Sequence, residues 1–260
     1  MALLTVDNLT KSFGGLTAVS NVHMTINEGE LIGLIGPNGA GKTTLFNLLT
    51  GVYVPTSGTI TVNHDGKSKV INGMKPYHIT EMGFARTFQN IRLFNDLTVL
   101  DNVRIAMHHN VAYNMAEAIF RLPRFLKGEK NQTKEALDLL DIFNLTHKKD
   151  ELAKNLPYGE QRHLEIIRAL ASKPFLLLLD EPAAGMNPAE TAELTQSIKW
   201  IRDQFKITVL LIEHDMSLVM NLCERIYVLN YGTMLADGTP SEIQGNPKVI
   251  EAYLGGDMDA

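Results

Sequence analysis

The chain of 260 residues holds a single cysteine, Cys223, so no internal disulfide can form. No metal-type Cys/His spacing surrounds it, and it reads as a small buried hydrophobe. A basic excess is missing too: 24 Lys and Arg stand against 29 Asp and Glu, for a formal net charge of -5. That balance argues against a nucleic-acid partner, which usually meets a basic stripe. Long apolar runs are lacking. The longest, such as "FLLLLD", fall far short of the ~20 residues of a membrane-spanning helix. The opening "MALLTVDNLTKSFGG" has no basic segment followed by a long apolar one, so no secretory signal is expected. No internal repeat or low-complexity tract stands out. The expectation is a soluble intracellular protein, able to rest against a membrane protein. What is present is ordinary for a globular chain with a sizeable core: 45% apolar and 20% charged residues. The length suits one large domain, or a domain with a subdomain.

Three short apolar runs read as buried parallel strands: 31–36, 175–180 and 208–215. Each ends at polar or glycine residues and leads into a helical pattern, which predicts an α/β layered core. In such cores the site lies at the carboxyl ends of the strands. "LLTVDNL", "VHMTINEG" and "SGTITVN" read as shorter strands, and 63–73 as a hairpin or loop. From about 99 to 172 helical periodicity dominates, as in "TKEALDLLDIFNL", where Ala136, Leu140 and Phe143 recur at helical spacing. The predicted division is therefore a core of 1–98 and 173–260 with a helical insertion of 99–172. Arg121, Arg124, Lys127, Lys130 and Lys134 fall within that insertion; a basic helix can lie on a membrane surface, but a solvated face with the polar linker "KGEKNQ" is the preferred reading.

"GPNGAGKTT", residues 36–44, fits the phosphate-loop pattern, with an apolar strand before it and a helix after it. Gly36, Gly39 and Gly41 allow the chain to wrap with its N–H groups inward, with Pro37, Asn38 and Ala40 completing the curve. Lys42 can reach the β- and γ-phosphates. Thr43 can offer its hydroxyl to Mg²⁺, and Thr44 falls near the α-phosphate. "FLLLLDEP" carries Asp180 to a strand end, where it can hold the water shell of Mg²⁺. Glu181 follows and could polarise a water for attack on the γ-phosphate. His214 ends the third apolar run and is a candidate γ-phosphate contact. A further helix start, "LPYGEQRHLEI" at 156–166, would leave backbone N–H groups bare for an anion.

Taken in order, these elements resemble the ATPase subunits of ABC transporters over essentially the whole length. The resemblance implies a P-loop α/β core with an N-terminal antiparallel β subdomain and an inserted helical signature subdomain. It implies ATP and Mg²⁺ as ligands. Phe13 resembles the aromatic that stacks on adenine, and base–aromatic stacking is worth ~1–3 kcal/mol. Gln89 in "RTFQN" resembles the glutamine that touches Mg²⁺ and the attacking water. Tyr158, Gly159 and Glu160 occupy the place of the family signature, which caps the γ-phosphate on a second subunit's loop. "LPYGEQRHLEI", "DEPAAGMNPAE", "IEHDMSLVM" and "NPKVIEAYLGG" resemble the ATPase subunits of branched-chain amino-acid importers. Lipopolysaccharide-export and urea-import ATPases are close relatives and stand as alternatives, as does a non-transport ABC ATPase acting on nucleic acid, which the single nucleotide domain and acidic total disfavour. Implied partners are a second ATPase subunit, two permease subunits and, indirectly, an extracytoplasmic binding protein. The implied place is the cytoplasmic face of the membrane. Ile91, Leu93 and Phe94 fall where importers meet the permease.

Two positions depart from the family pattern. Pro157 stands where a serine is usual, and it has neither hydroxyl nor N–H. Asn187 stands where many members have aspartate. The departure at Pro157 leads to an expectation of unequal sites in a heterodimer, one of them weakened.

Overall fold

The computed structural model describes residues 2–108 and 113–254. They form two compact units. The first runs to Arg86 and resumes at Phe175; the second is Thr87–Pro174. The expected divisions stood at 98/99 and 172/173. The earlier boundary has a physical cause: residues 88 and 89 are bonded by a buried arginine of the helical unit, described below.

In the first unit, a six-stranded sheet has the order β10-β9-β3-β8-β7-β6. Strands β3 (Leu31–Ile35), β6 (Phe84–Arg86), β7 (Leu176–Asp180), β8 (Thr208–Ile212) and β9 (Arg225–Asn230) pair in parallel. β10 (Thr233–Gly238) closes the edge antiparallel to β9. β3, β7 and β8 are buried at every position, so their sequences are continuous apolar runs. Each fully buried Leu or Ile stabilises by roughly 1.5–3 kcal/mol.

The second sheet of this unit, β2-β1-β4-β5, is antiparallel. Its strands β1 (Ala2–Phe13) and β2 (Leu16–Asn27) run twelve residues each, longer than their sequences predict. Register shifts flank Leu9, and Asn8 and Asn21 take left-handed φ values of 49°. These bulges reset the inward–outward alternation, so the apolar period looks interrupted. Leu4, Val6, Met24, Ile26, Ile60 and Val62 still face one core. β4 (Ser57–His64) and β5 (Lys67–Val70) turn at Asp65-Gly66, both with positive φ. Positive φ at both central residues is what a tight two-residue hairpin requires.

The helices of this unit are α1 (Lys42–Leu49), α2 (Pro76–Glu81), α7 (Pro188–Phe205), α8 (Met216–Leu222), α9 (Pro240–Gln244) and α10 (Pro247–Leu254). The second unit contains α3 (Val99–Ala106), α4 (Met115–Ile119), α5 (Pro123–Asp141) and α6 (Tyr158–Ala171). Val99, Val103, Ala136, Leu140, Leu164 and Ile167 are buried there. Asn102 is buried as well and bonds the backbone of Phe94 from both sides, at 2.9 and 3.0 Å. The basic residues of 121–134 are exposed, as are Leu126 among them and Ile119 and Phe120 just before them. No helix among the described residues is long and apolar enough to cross a membrane.

Candidate nucleotide site

The phosphate loop leaves the buried end of β3 and enters α1. Gly36 and Gly41 have φ of 151° and 100°. A Cβ at Gly36 would lie 2.0 Å from the Leu229 carbonyl oxygen, and one at Gly41 would lie 2.5 Å from that of Ala18. Both glycines are therefore forced by backbone packing as well as by curvature. The turn between β9 and β10 braces the loop: the Gly232 N–H donates to the Ala40 carbonyl at 2.9 Å. No side chain caps α1, whose N-cap is Gly41. Its N-terminal dipole is thus offered to an anion.

Lys42 is 6% exposed and donates to the carbonyls of Gly36 (2.6 Å) and Pro37 (3.0 Å). Burial pushes its ammonium below the usual lysine range, while the Glu181 and Asp180 carboxylates pull it back. The side chain therefore folds back along the loop to these carbonyls. Thr43 and Thr44 follow in the first turn of α1.

Asp180 ends β7 and is 4% exposed. Arg86, at the end of β6, pairs with it at 2.8 Å. The same guanidinium donates to Asn47 Oδ1 at 2.7 Å and to Thr50 Oγ1 at 3.2 Å, both on or beside α1. The phosphate-loop helix and the strand-end carboxylate are thereby tied together. The sequence reading did not single out Arg86; its only signal was a charged residue ending a short apolar strand.

Glu181 has a left-handed φ of 49°. A non-glycine residue there is strained by roughly 1 kcal/mol or more, and such strain clusters at functional positions. Its N–H donates to the Ile212 carbonyl at 2.9 Å. Its Oε1 lies 2.7 Å from Nε2 of His214, which follows β8. The geometry brings these two predicted residues together at the ends of adjacent parallel strands.

Hard oxygen donors, the Thr43 hydroxyl and the Asp180 carboxylate, suit Mg²⁺. The described residues contain no cluster of three or more His, Cys, Asp or Glu able to hold a metal. Phe13 ends β1, 43% exposed, with its ring edge-on to Tyr53 at 5.1 Å. Lys11 Nζ lies 4.9 Å from the Phe13 ring centre.

The helical unit carries the other predicted residues. α6 starts at Tyr158, with Pro157 as N-cap and no side-chain cap. Tyr158 is exposed, and the Glu160 carboxylate is paired to Lys148 at 2.6 Å. Arg162, one turn further on, is fully buried. It donates to the carbonyls of Phe88 (2.6 Å) and Gln89 (2.8 Å), and to Glu165 at 2.8 Å. Glu165 in turn accepts the N–H of Arg92 at 3.1 Å. Burial raises the Glu165 carboxyl above its ordinary value, against the pull of that N–H and of Arg162. This pair fixes the backbone of Gln89 within the unit. It went unread because charged residues three apart on a helix look like a solvated face. Phe94 is exposed, with the Arg168 guanidinium 5.0 Å from its ring centre.

A parallel sheet that delivers a buried lysine, an aspartate and a Glu–His pair at its strand ends has the architecture of a P-loop nucleotide-binding cassette. The sequence profile of the ABC transporter family matches residues 19–184, more than half the chain. The chain belongs to that family and is one of its ATPase subunits. A profile for branched-chain amino acid ATP-binding cassette transporters matches residues 233–259. The high-affinity branched-chain amino acid transport ATP-binding protein LivG of Salmonella typhimurium is 47% identical over 253 residues, covering 97% of this chain and 98% of that protein. BraF of Pseudomonas aeruginosa, of the same description, is 46% identical with the same coverage. The lipopolysaccharide export ATP-binding protein LptB of Escherichia coli is 34% identical over 259 residues, 99% of each chain. Among solved structures, an ATP-binding cassette of an ABC transporter in its ADP conformation has a TM-score of 0.83 at 30% identity, over 98% of this chain and 99% of that one. A dimeric cassette in a post-hydrolysis state, bound to ADP and Pi, has a TM-score of 0.76 at 25% identity, over 92% and 99%.

Proposed function

We propose that the chain hydrolyses ATP as a peripheral subunit on the cytoplasmic face of an importer for branched-chain amino acids. The observation that carries the chemistry is the Glu181–His214 hydrogen bond of 2.7 Å beside the phosphate loop. The contact to His214 Nε2 holds the Glu181 carboxylate where it can accept a proton from water. His214 orients that carboxylate in the nucleotide-free chain, and on ATP binding the same Nε2–H would turn to the γ-phosphate. Lys42, now bonded to two loop carbonyls, exchanges one of them for the β- and γ-phosphate oxygens. Thr43, Asp180 and, as the family resemblance implies, Gln89 would hold Mg²⁺, and the ion would supply charge neutralisation at the phosphates. Phe13 stacks on the base.

The cargo reading rests on the identity to LivG and BraF, which exceeds that to LptB. The partners are a second ATPase subunit, two permease subunits and an extracytoplasmic binding protein. Tyr158, Gly159 and Glu160, at the start of α6, cap the γ-phosphate held by the second ATPase. The dimeric relative bound to ADP and Pi supports paired cassettes. Because Pro157 offers no hydroxyl, the composite site that receives α6 is the weaker one. Reconstitution of the whole transporter in vesicles tests this reading. ATP-dependent uptake of leucine, isoleucine and valine is expected, and Glu181→Gln should stop uptake and hydrolysis while ATP still binds. Uptake of another cargo class alone would overturn the substrate assignment, and undiminished hydrolysis would remove Glu181 from its role.

A further inference from the structure

Glu213 follows β8 and is 4% exposed. Its Oε1 accepts the N–H of Ala183 at 2.8 Å, and its Oε2 accepts that of His214 at 3.1 Å. Burial is costly for a carboxylate unless fixed donors replace its water, and these two backbone N–H groups do so here. Ala183 lies two residues beyond Glu181; His214 is the neighbour of Glu213. One buried side chain therefore grips both backbone segments that carry the hydrogen-bonded Glu181–His214 pair.

The grip matters because the strand ladder ends at the Glu181 N–H, which donates to the Ile212 carbonyl at 2.9 Å, and does not reach Ala183. Glu181 has left-handed φ, and residues 181–186 continue as turns, with Ala184 N–H on the Glu181 carbonyl (3.2 Å) and Met186 N–H on that of Ala183 (3.0 Å). We propose that Glu213 is a positioning residue for hydrolysis: it sets the separation of Glu181 and His214 and passes displacements of the 181–187 loop to His214. This rests on the assignment of Glu181 and His214 above.

Two variants separate the parts of the argument. Glu213→Gln keeps the length but turns one acceptor into an NH₂ that faces a donor, so one segment is released. Glu213→Asp keeps the charge but is a methylene shorter, so it reaches the His214 N–H and loses Ala183. Hydrolysis and fluorescent-nucleotide binding are measured on the assembled transporter for both, for His214→Ala, and for Glu213→Gln combined with His214→Ala. Both Glu213 variants should lower kcat about tenfold while ATP affinity moves less than about twofold. In the His214→Ala background, Glu213→Gln should cost less than about a further twofold, because it acts through that pair. An equal factor in both backgrounds, or a loss of affinity as large as the loss of kcat, overturns the proposal. If Glu213→Gln does not fold, a wild-type kcat for Glu213→Asp overturns it equally. Failure of the underlying assignment is distinct: there Glu181→Gln itself would hydrolyse ATP normally.

Discussion

Arg162→Met should damage the helical unit more than any exposed substitution in it. The arginine is fully buried, and its guanidinium holds the Phe88 and Gln89 carbonyls and the Glu165 carboxylate. Removing it breaks a buried ion pair and leaves the Glu165 carboxylate to backbone N–H bonds and the Arg168 charge, which costs about 3–5 kcal/mol. For a chain of this size each kcal/mol lowers Tm by about 2–4 °C, so a fall of roughly 6–20 °C is expected by thermal melting. The deficit should depend on pH. Burial already raises the Glu165 carboxyl, and losing Arg162 removes one of the influences that hold it down. The folded state then binds this proton more tightly than the unfolded state. Stability is full below the ordinary carboxyl value and falls as pH rises through the raised one. The variant's deficit should accordingly be larger at about pH 8 than at about pH 5.5. Arg162→Met with Glu165→Gln should recover part of the loss. A melting point unchanged within about 2 °C, or a deficit independent of pH, would refute the reasoning.

Pro157→Ser restores a hydroxyl at the N-cap of α6. It should stabilise that helix start by about 0.5–2 kcal/mol and raise turnover at the weaker composite site, read by site-resolved hydrolysis in the heterodimer. Burial pushes the Cys223 thiol up to about 12. Maleimide at about pH 8 should therefore leave the native chain almost unlabelled and react promptly once it is denatured.

Legibility followed the physics of each element. β3, β7 and β8 were readable because strands buried on both faces are apolar at every position. The phosphate loop was readable because curvature and close packing leave glycine little competition at 36 and 41. β9 and β10 were not read as strands, although their turn at Tyr231-Gly232 braces the loop; that bracing is a long-range contact with no local signature. Arg86 and Arg162 were missed for a related reason. A buried ion pair looks in sequence like two surface charges, and only the fold shows that Asp180 and Glu165 are the partners. The helical insertion was recognised by its period, but its first boundary was set twelve residues late because residues 87–98 are bound by side chains rather than by helical repeat.

Joint gripping of nucleotide by two subunits is tested most directly by how the rate of ATP hydrolysis scales with protein concentration, followed together with mass by light scattering for the chain with its ATPase partner. Shared sites predict specific activity that collapses as the pair dissociates on dilution and returns on concentration. Constant specific activity in samples shown to be monomeric during turnover would contradict it.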